Sequence, residues 1–193
     1  MRLLILTLLA LFAFAANSVL CRIALAEGLI DPASFTAIRL LSAAITLTCL
    51  VGWKYKSNIS DLARAGSWSS GIALFVYAAG FSYAYVWLSA GSGALILFAS
   101  VQFSMIAFSL FRGHIFTKLE WLGMLTALSG FVYLVLPGVS APPAFGAALM
   151  GIAGIAWGIY SIRGKSVPDP LKATTGNFMR SLPFALILAF VFH

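Results

Sequence analysis

The sequence has few charged residues and little that a catalytic site would need. Only 9% of its residues are charged, whereas 62% are hydrophobic, so it has no room for a water-facing domain of useful size. Its two histidines have no cysteine or carboxylate at metal-ligand spacing. No nucleophile–base arrangement, phosphate-binding loop or acidic magnesium motif occurs. The sequence therefore argues against an enzyme, a metal site and a cofactor.

Cysteine is also scarce. Of the two cysteines, Cys21 lies near the end of the first apolar segment and Cys49 near the end of the second. Consecutive membrane segments run in opposite directions, so the two thiols should lie in opposite leaflets, too far apart for a disulfide. We interpret both as small apolar core residues.

No acidic residue lies in the middle of an apolar segment, so a proton relay of the usual pump type lacks its carboxylate. The five acids are Glu27, Asp31, Asp61, Glu120 and Asp169.

The net charge of +7 would suggest nucleic acid in a soluble protein. Here the charge is spread along the connections between apolar segments, where anionic lipid headgroups are its natural partners. The sequence predicts a lipid bilayer as partner and no nucleic acid.

Seven long apolar segments account for most of the chain. Most have close to the roughly 20 residues that an α-helix needs to cross about 30 Å of hydrocarbon. The fifth segment is short. The sequence therefore predicts an all-α integral membrane protein with about seven transmembrane helices. The segments are Leu3–Leu25, Ala33–Trp53, Ser69–Ser89, Gly93–Phe111, Trp121–Leu136, Phe145–Gly164 and Lys172–Phe192.

Most of the basic residues lie in every second connection, whereas the opposite connections contain only Arg22. Basic connections stay in the cytoplasm, so we expect a multi-pass protein of the inner or plasma membrane with a cytoplasmic N-terminus. The residues on that side are Arg2, Lys54, Lys56, Arg64, Arg112, Lys118, Arg163, Lys165 and Lys172.

The chain shows a weak internal repeat at an offset of 141 residues. The offset aligns Arg22 with Arg163 and Arg39 with Arg180. It also places the sixth segment on the first and the seventh on the second, so the repeating unit has five segments. Because five is odd, the second copy must run in reverse through the membrane, as in the inverted repeats of many secondary transporters. Chance similarity between Ala- and Leu-rich segments is the alternative.

The repeat divides the chain into a first five-helix unit, residues 1–138, and the first two helices of a second unit, residues 144–193. A complete second unit would need about as many residues as the first, reasoning from the repeat itself. We therefore expect either a fragment of a ten-helix protein or a shorter chain that a second chain completes.

Polar side chains inside the apolar segments are the candidate substrate-binding residues, because a polar group in hydrocarbon is costly. Arg39 lies about 10 Å below the outer interface by helix rise, and Arg180 lies at a comparable depth from the inner side. The alternative is that each arginine extends to the interface or pairs locally, as Arg39 would with Asp31 or Glu27. The candidates are Asn17, Arg39, Tyr77, Gln102, Trp157, Asn177 and Arg180.

Other roles are open for the uncharged candidates. The three amide side chains could instead form hydrogen bonds between helices. Tyr77 begins a stripe with Phe81 and Tyr85 that would pack in the core or face lipid, although its hydroxyls favour a polar interior. Small residues indicate close helix contacts around Gly154-x-x-x-Gly158, and likewise around Gly123 and Gly130.

These segments resemble the EamA-like family of the drug/metabolite transporter superfamily. Phe14–Arg22, with small residues around an asparagine, is similar to the family's first helix. Asp31-Pro32 and Ala37–Ala44 are similar to the connection and second helix that follow. Leu110–Pro137, with Glu120–Gly123 after a basic loop, is similar to its fourth-to-fifth helix region. The resemblance extends over essentially the whole chain, but its short motifs identify the family and not the substrate.

Two positions depart from the family pattern. His114 follows Gly113 where the family usually has glutamate, which affects the expected cytoplasmic loop contact. A proline often present near Gln102 is absent, which would straighten the fourth helix.

The resemblance implies a ten-helix fold of two inverted five-helix repeats around a central cavity. It also implies a permease that moves amino acids or similar small metabolites, usually outward, by alternating access. Arg39 or Arg180 would hold a substrate carboxylate. The competing interpretation is a non-transporting truncated copy or an assembly or regulatory membrane protein.

Overall fold

The structure, a computed structural model, describes residues 2–55, 59–135 and 143–192. Within those ranges it is all-α, as predicted. Lys56, the end of the fifth predicted segment and the connection after it lie outside the described residues. The helices are α1 (Arg2–Ala26), α2 (Pro32–Tyr55), α3 (Ile59–Arg64), α4 (Trp68–Trp87), α5 (Ala90–Phe111), α6 (Lys118–Val135), α7 (Ala144–Gly164) and α8 (Pro170–Phe192).

Six of these helices, α1, α2, α4, α5, α7 and α8, are long and apolar enough to cross a membrane. Each coincides with one of the predicted segments, although α4 ends at Trp87, two residues before the predicted end of the third segment. The helix at the fifth segment, α6, ends at Val135, the last residue described before the gap. The chain is therefore a multi-pass membrane protein whose helices contact the lipid bilayer.

The short helix α3 was not predicted. It lies in the basic connection between the second and third segments, with Asp61 in its first turn and Arg64 in its last. These charges stabilise the helix because each opposes the partial charge at its end of the helix dipole. Leu62 is 1% exposed, and α3 packs against α8. This helix is thus a folded part of the bundle.

The central helix is α4, which packs against α1, α2, α7 and α8. It begins where the Ser67 hydroxyl accepts a hydrogen bond from the Ser70 backbone N–H, the interaction that favours serine at a helix N-terminus. Tyr77, Phe81 and Tyr85 are all buried. The aromatic stripe therefore packs in the protein core and does not face lipid.

Glycines on α7 permit a close approach of α5. A Cβ atom at Gly154 would lie 2.7 Å from the Leu97 carbonyl oxygen, and one at Gly158 would collide with the Ser104 hydroxyl. The predicted role of these glycines in helix contact is confirmed. Within the described residues, Gly123 and Gly130 make no such contact.

At those two glycines no described atom lies within 4 Å of a Cβ position. The reason is the position of α6 at the edge of the bundle. In the described chain, α5 is the one helix against which α6 packs to more than a marginal extent. Most of its surface is therefore free of helix neighbours in the described ranges.

Candidate functional site

A cavity of about 380 Å³ lies between α1, α2, α4, α7 and α8. Its walls bring together four of the seven predicted site residues: Asn17, Arg39, Tyr77 and Trp157. Each comes from a different helix, and the four are separated by up to 140 positions in the chain. The cavity is the place in the described structure where the predicted residues converge.

Arg39 is the charged group of this cavity. Its guanidinium carbon lies 5.6 Å from the centroid of the Tyr77 ring and 5.0 Å from that of Phe81, where the negative faces of the rings attract the cation. Among residues 2–55, 59–135 and 143–192, no carboxylate lies within salt-bridge distance of Arg39. The local ion pair considered above, with Asp31 or Glu27, is therefore not formed, and the side chain lines the cavity.

Cys21 connects two of the predicted residues. Its Sγ atom lies 3.8 Å from the Asn17 Oδ1 atom and 3.9 Å from an Nη atom of Arg39. The side chain is 3% exposed. We interpreted this cysteine from the sequence as apolar core, and the structure adds a polar contact on each side. The missed signal was the four-residue spacing of Asn17 and Cys21, which places both on one face of α1.

Aromatic rings pack together next to Arg39. The centroids of Tyr77 and Trp157 are 4.7 Å apart, and the Tyr160 ring stacks on Trp157 at 5.4 Å. Phe14 meets the Trp157 ring edge-on at 6.5 Å. Packed rings hold one another in place, so they offer a fixed apolar surface beside the guanidinium. Phe14, which lines the cavity, was not predicted as a site residue.

Asn177 and Arg180 lie elsewhere, beside the connection from α3 to α4. The Asn177 Oδ1 atom accepts the Ser67 backbone N–H at 2.9 Å. Arg180 donates to the Ala65 carbonyl oxygen, and its guanidinium carbon lies 5.9 Å from the Trp68 ring centroid. Both side chains bind backbone groups that no helix satisfies. They hold this connection against α8.

Gln102 is also apart from the Arg39 cavity. Its side chain is exposed on α5, in a groove of about 510 Å³ that α5 forms with α6. The groove is lined mostly by apolar residues and by Glu120. The structure thus separates Gln102 from the other predicted residues by placing it on the opposite side of α5 from α7.

The loop before α6 contains the residue that departs from the family pattern. Glu120 accepts the Thr117 backbone N–H at 2.7 Å and its hydroxyl at 2.9 Å, while the Glu120 N–H donates to the Thr117 hydroxyl at 3.3 Å. This is a capping box. The backbone hydrogen bond from Thr117, more than its hydroxyl or the neighbouring imidazole, lowers the pKa of Glu120. The His114 Nε2 atom lies 3.5 Å from Glu120 Oε1, so histidine makes a loop contact of its own.

Comparison with known proteins agrees with the architecture. Residues 1–136 match the sequence profile of the EamA-like transporter family. The chain is 50% identical over 192 residues to the uncharacterized protein PA1977 of Pseudomonas aeruginosa, a match that covers 100% of this chain and 66% of that protein. The chain therefore spans just under two thirds of the length of this relative. No solved structure matches.

Proposed function

Because the chain belongs to the EamA-like transporter family, we propose that it serves as a permease for small metabolites that carry a carboxylate, such as amino acids. The proposed mechanism is alternating access, in which the cavity around Arg39 opens to one side of the membrane at a time. The family is one of transporters and not of enzymes, and the proposal requires no covalent chemistry.

The observation that carries this proposal is the guanidinium of Arg39 in the cavity, which has no carboxylate within salt-bridge distance among the residues that the structure describes. A guanidinium at this depth is costly unless something compensates its charge. The two aromatic rings compensate only part of it, since a cation–π contact contributes about 0.5–2 kcal/mol. A substrate carboxylate would supply the missing counterion and could form two parallel hydrogen bonds with the guanidinium.

The rest of the cavity suits an amino acid or a similar molecule. Asn17 and the Tyr77 hydroxyl offer hydrogen-bond partners for a polar group beside the carboxylate. Phe14, Trp157 and Phe178 offer an apolar surface for the remainder of the molecule. This division into one charged end and one apolar wall favours zwitterionic or anionic metabolites over cations.

We also propose the arrangement of the whole transporter. Residues 1–138 form one five-helix unit, and residues 144–193 form the first two helices of a unit inverted relative to it. The basic connections favour a cytoplasmic N-terminus and the inner or plasma membrane. Further helices, from the same or a second chain, would complete the cavity.

The test is transport of a panel of amino acids and related acids in cells that overproduce the protein. Wild type should change the uptake or export of at least one compound, and Arg39→Ala should abolish the change. Arg39→Lys retains the charge but loses the paired hydrogen-bond geometry, so we expect partial activity. Lys118→Ala, an exposed cation outside the cavity, is the matched control.

Two results would contradict the proposal in different ways. Full activity of Arg39→Ala would remove Arg39 from the site. Wild-type protein that is folded in the membrane and moves none of the panel would favour the non-transporting assembly or regulatory protein.

A further inference from the structure

A second cavity, of about 580 Å³, lies at one end of the bundle. Four helix ends meet there: α4 and α8 begin, and α5 and α7 end. The distribution of basic residues predicts that this end faces the cytoplasm. The cavity shares no lining residue with the one around Arg39.

Two guanidinium groups line this cavity. Arg163, in the last turn of α7, donates from Nε to the Ser70 hydroxyl at 3.1 Å and from an Nη atom to the Ser67 hydroxyl at 3.4 Å. A guanidinium has five N–H donors, so these bonds orient Arg163 and leave donors free. Arg112, at the end of α5, rests over the Phe108 ring with its guanidinium carbon 5.1 Å from the centroid.

Neither cation has a counterion in the described structure. No acidic side chain is among the residues that line the cavity, and neither arginine is in a salt bridge within residues 2–55, 59–135 and 143–192. Lys165 lies beside Arg112 in an adjoining depression. Positive charge from two different helices is thus concentrated around one concave surface.

Neutral donors complete the surface. Ser166, Thr174 and Asn177 are among the lining residues. Because the Asn177 oxygen already accepts the Ser67 N–H, its NH₂ group is left to donate. Guanidinium, hydroxyl and amide donors around one space are the groups that bind the oxygens of a phosphate or carboxylate.

We propose that this cavity binds an oxyanion, the phosphate or carboxylate group of a soluble anion or the phosphate of an anionic lipid headgroup. The inference goes beyond the function proposed above, because binding here depends neither on Arg39 nor on transport. The first ligands are Arg112 and Arg163, with Thr174 and Asn177 as neutral donors.

The experiment measures binding by the intact chain in lipid nanodiscs made of phosphatidylcholine alone. Inorganic phosphate is titrated at constant ionic strength, so that general screening cancels, and the melting temperature is followed. Wild type should be stabilised by phosphate in a saturable manner. Arg112→Gln and Arg163→Gln should each bind about tenfold more weakly or worse, since each loses a charge-assisted hydrogen bond.

A second arm distinguishes the source of the anion. Protein purified from nanodiscs that contain phosphatidylglycerol is examined by native mass spectrometry for retained lipid. A headgroup site predicts that wild type retains phosphatidylglycerol and that both arginine variants lose it, with little response to free phosphate. A soluble-anion site predicts the phosphate response without lipid retention.

Controls separate binding from folding. Arg163→Gln also loses the hydrogen bonds to Ser67 and Ser70. Two further variants therefore test the charge itself. Arg163→Lys retains the positive charge, and Arg112→Gln removes a charge whose side chain forms no hydrogen bond within the described residues. Lys118→Gln removes an exposed cation outside the cavity and should behave as wild type. The proposal is wrong if wild type shows neither a saturable phosphate response nor retained phosphatidylglycerol. It is also wrong if Lys118→Gln and Arg112→Gln lose binding equally. Both outcomes are independent of the effect of Arg39→Ala on transport.

Discussion

Arg22 and Arg163 contact opposite ends of α4. Arg22 donates to the carbonyl oxygens of Tyr85 at 2.7 Å and Val86 at 3.1 Å, in the last turn of the helix. Arg163 binds the serine hydroxyls where the helix begins. The internal offset of the sequence aligns these two arginines. The aligned arginines of α1 and α7 therefore lie at opposite ends of the same central helix.

The contact of Arg22 should stabilise the bundle. The last carbonyl groups of a helix have no partner within it, and a cation at that end also opposes the helix dipole. We expect Arg22→Ala to lower the free energy of unfolding by about 1–3 kcal/mol. Thermal unfolding in detergent, followed by size-exclusion chromatography, measures the change. Arg22→Lys should recover part of it, and an unchanged melting temperature for Arg22→Ala would show that the contact contributes nothing.

Close packing of α5 on α7 should be sensitive to a single methyl group. In Gly154→Ala the new Cβ atom would meet the Leu97 carbonyl oxygen at 2.7 Å and the Ser100 Cβ atom at 2.5 Å. Since overpacking typically costs about 1–3 kcal/mol, we expect a clear loss of thermal stability. Gly123→Ala, with no described atom within 4 Å of the new methyl group, is the matched control and should melt as wild type does. Equal melting of the two variants would contradict the helix contact.

The Tyr77 hydroxyl should affect substrate affinity more than folding. Tyr77→Phe keeps the ring that contacts Trp157 and Arg39 but removes the hydrogen-bonding group. Loss of one substrate hydrogen bond typically weakens binding by about fivefold to tenfold. We expect KM for the transported compound to rise by this factor at an unchanged protein level. Phe35→Leu, at a half-buried position on α2 away from the cavity lining, is the control, and an unaltered KM in Tyr77→Phe would exclude the hydroxyl from binding.

Sidedness can be tested at two exposed positions. In a chain with Cys21 and Cys49 replaced by serine, Leu29→Cys and Ser166→Cys place single thiols on opposite connections, both exposed. The charge pattern predicts that an impermeant thiol reagent labels Leu29→Cys in intact cells and labels Ser166→Cys only after the membrane is opened. The reverse pattern would overturn both the orientation and the cytoplasmic position of the anion cavity.

Most of the helices could be predicted from the sequence because their signal is local. A run of about 20 apolar residues has few alternatives to a membrane-spanning helix, and six such runs are candidate spans in the structure. The helix α3 was missed because six residues with two charges and one buried leucine carry no such signal. Gly123 was predicted to lie at a helix contact that the described residues do not show, because a small residue gives the same sequence signal whether or not a helix faces it.

The site was predictable only in its chemistry. Depth and polarity single out Arg39 and Arg180 alike, and nothing local distinguishes them. The structure does, because Arg39 faces a cavity over two rings, whereas Arg180 binds the Ala65 carbonyl group. Gln102 likewise matches Asn17 in depth but lies on another side of the bundle.

The sequence by itself determined the all-helical membrane class and the family, because hydrocarbon length and a few motif residues are properties of neighbouring positions. Only the tertiary structure decided which polar side chains share a cavity and which ones support the backbone. It also decided that Arg112 and Arg163, which form no salt bridge among the described residues, line one cavity. Those outcomes depend on how helices rotate and pack against one another, and packing brings together residues such as Asn17 and Trp157 that no local pattern relates.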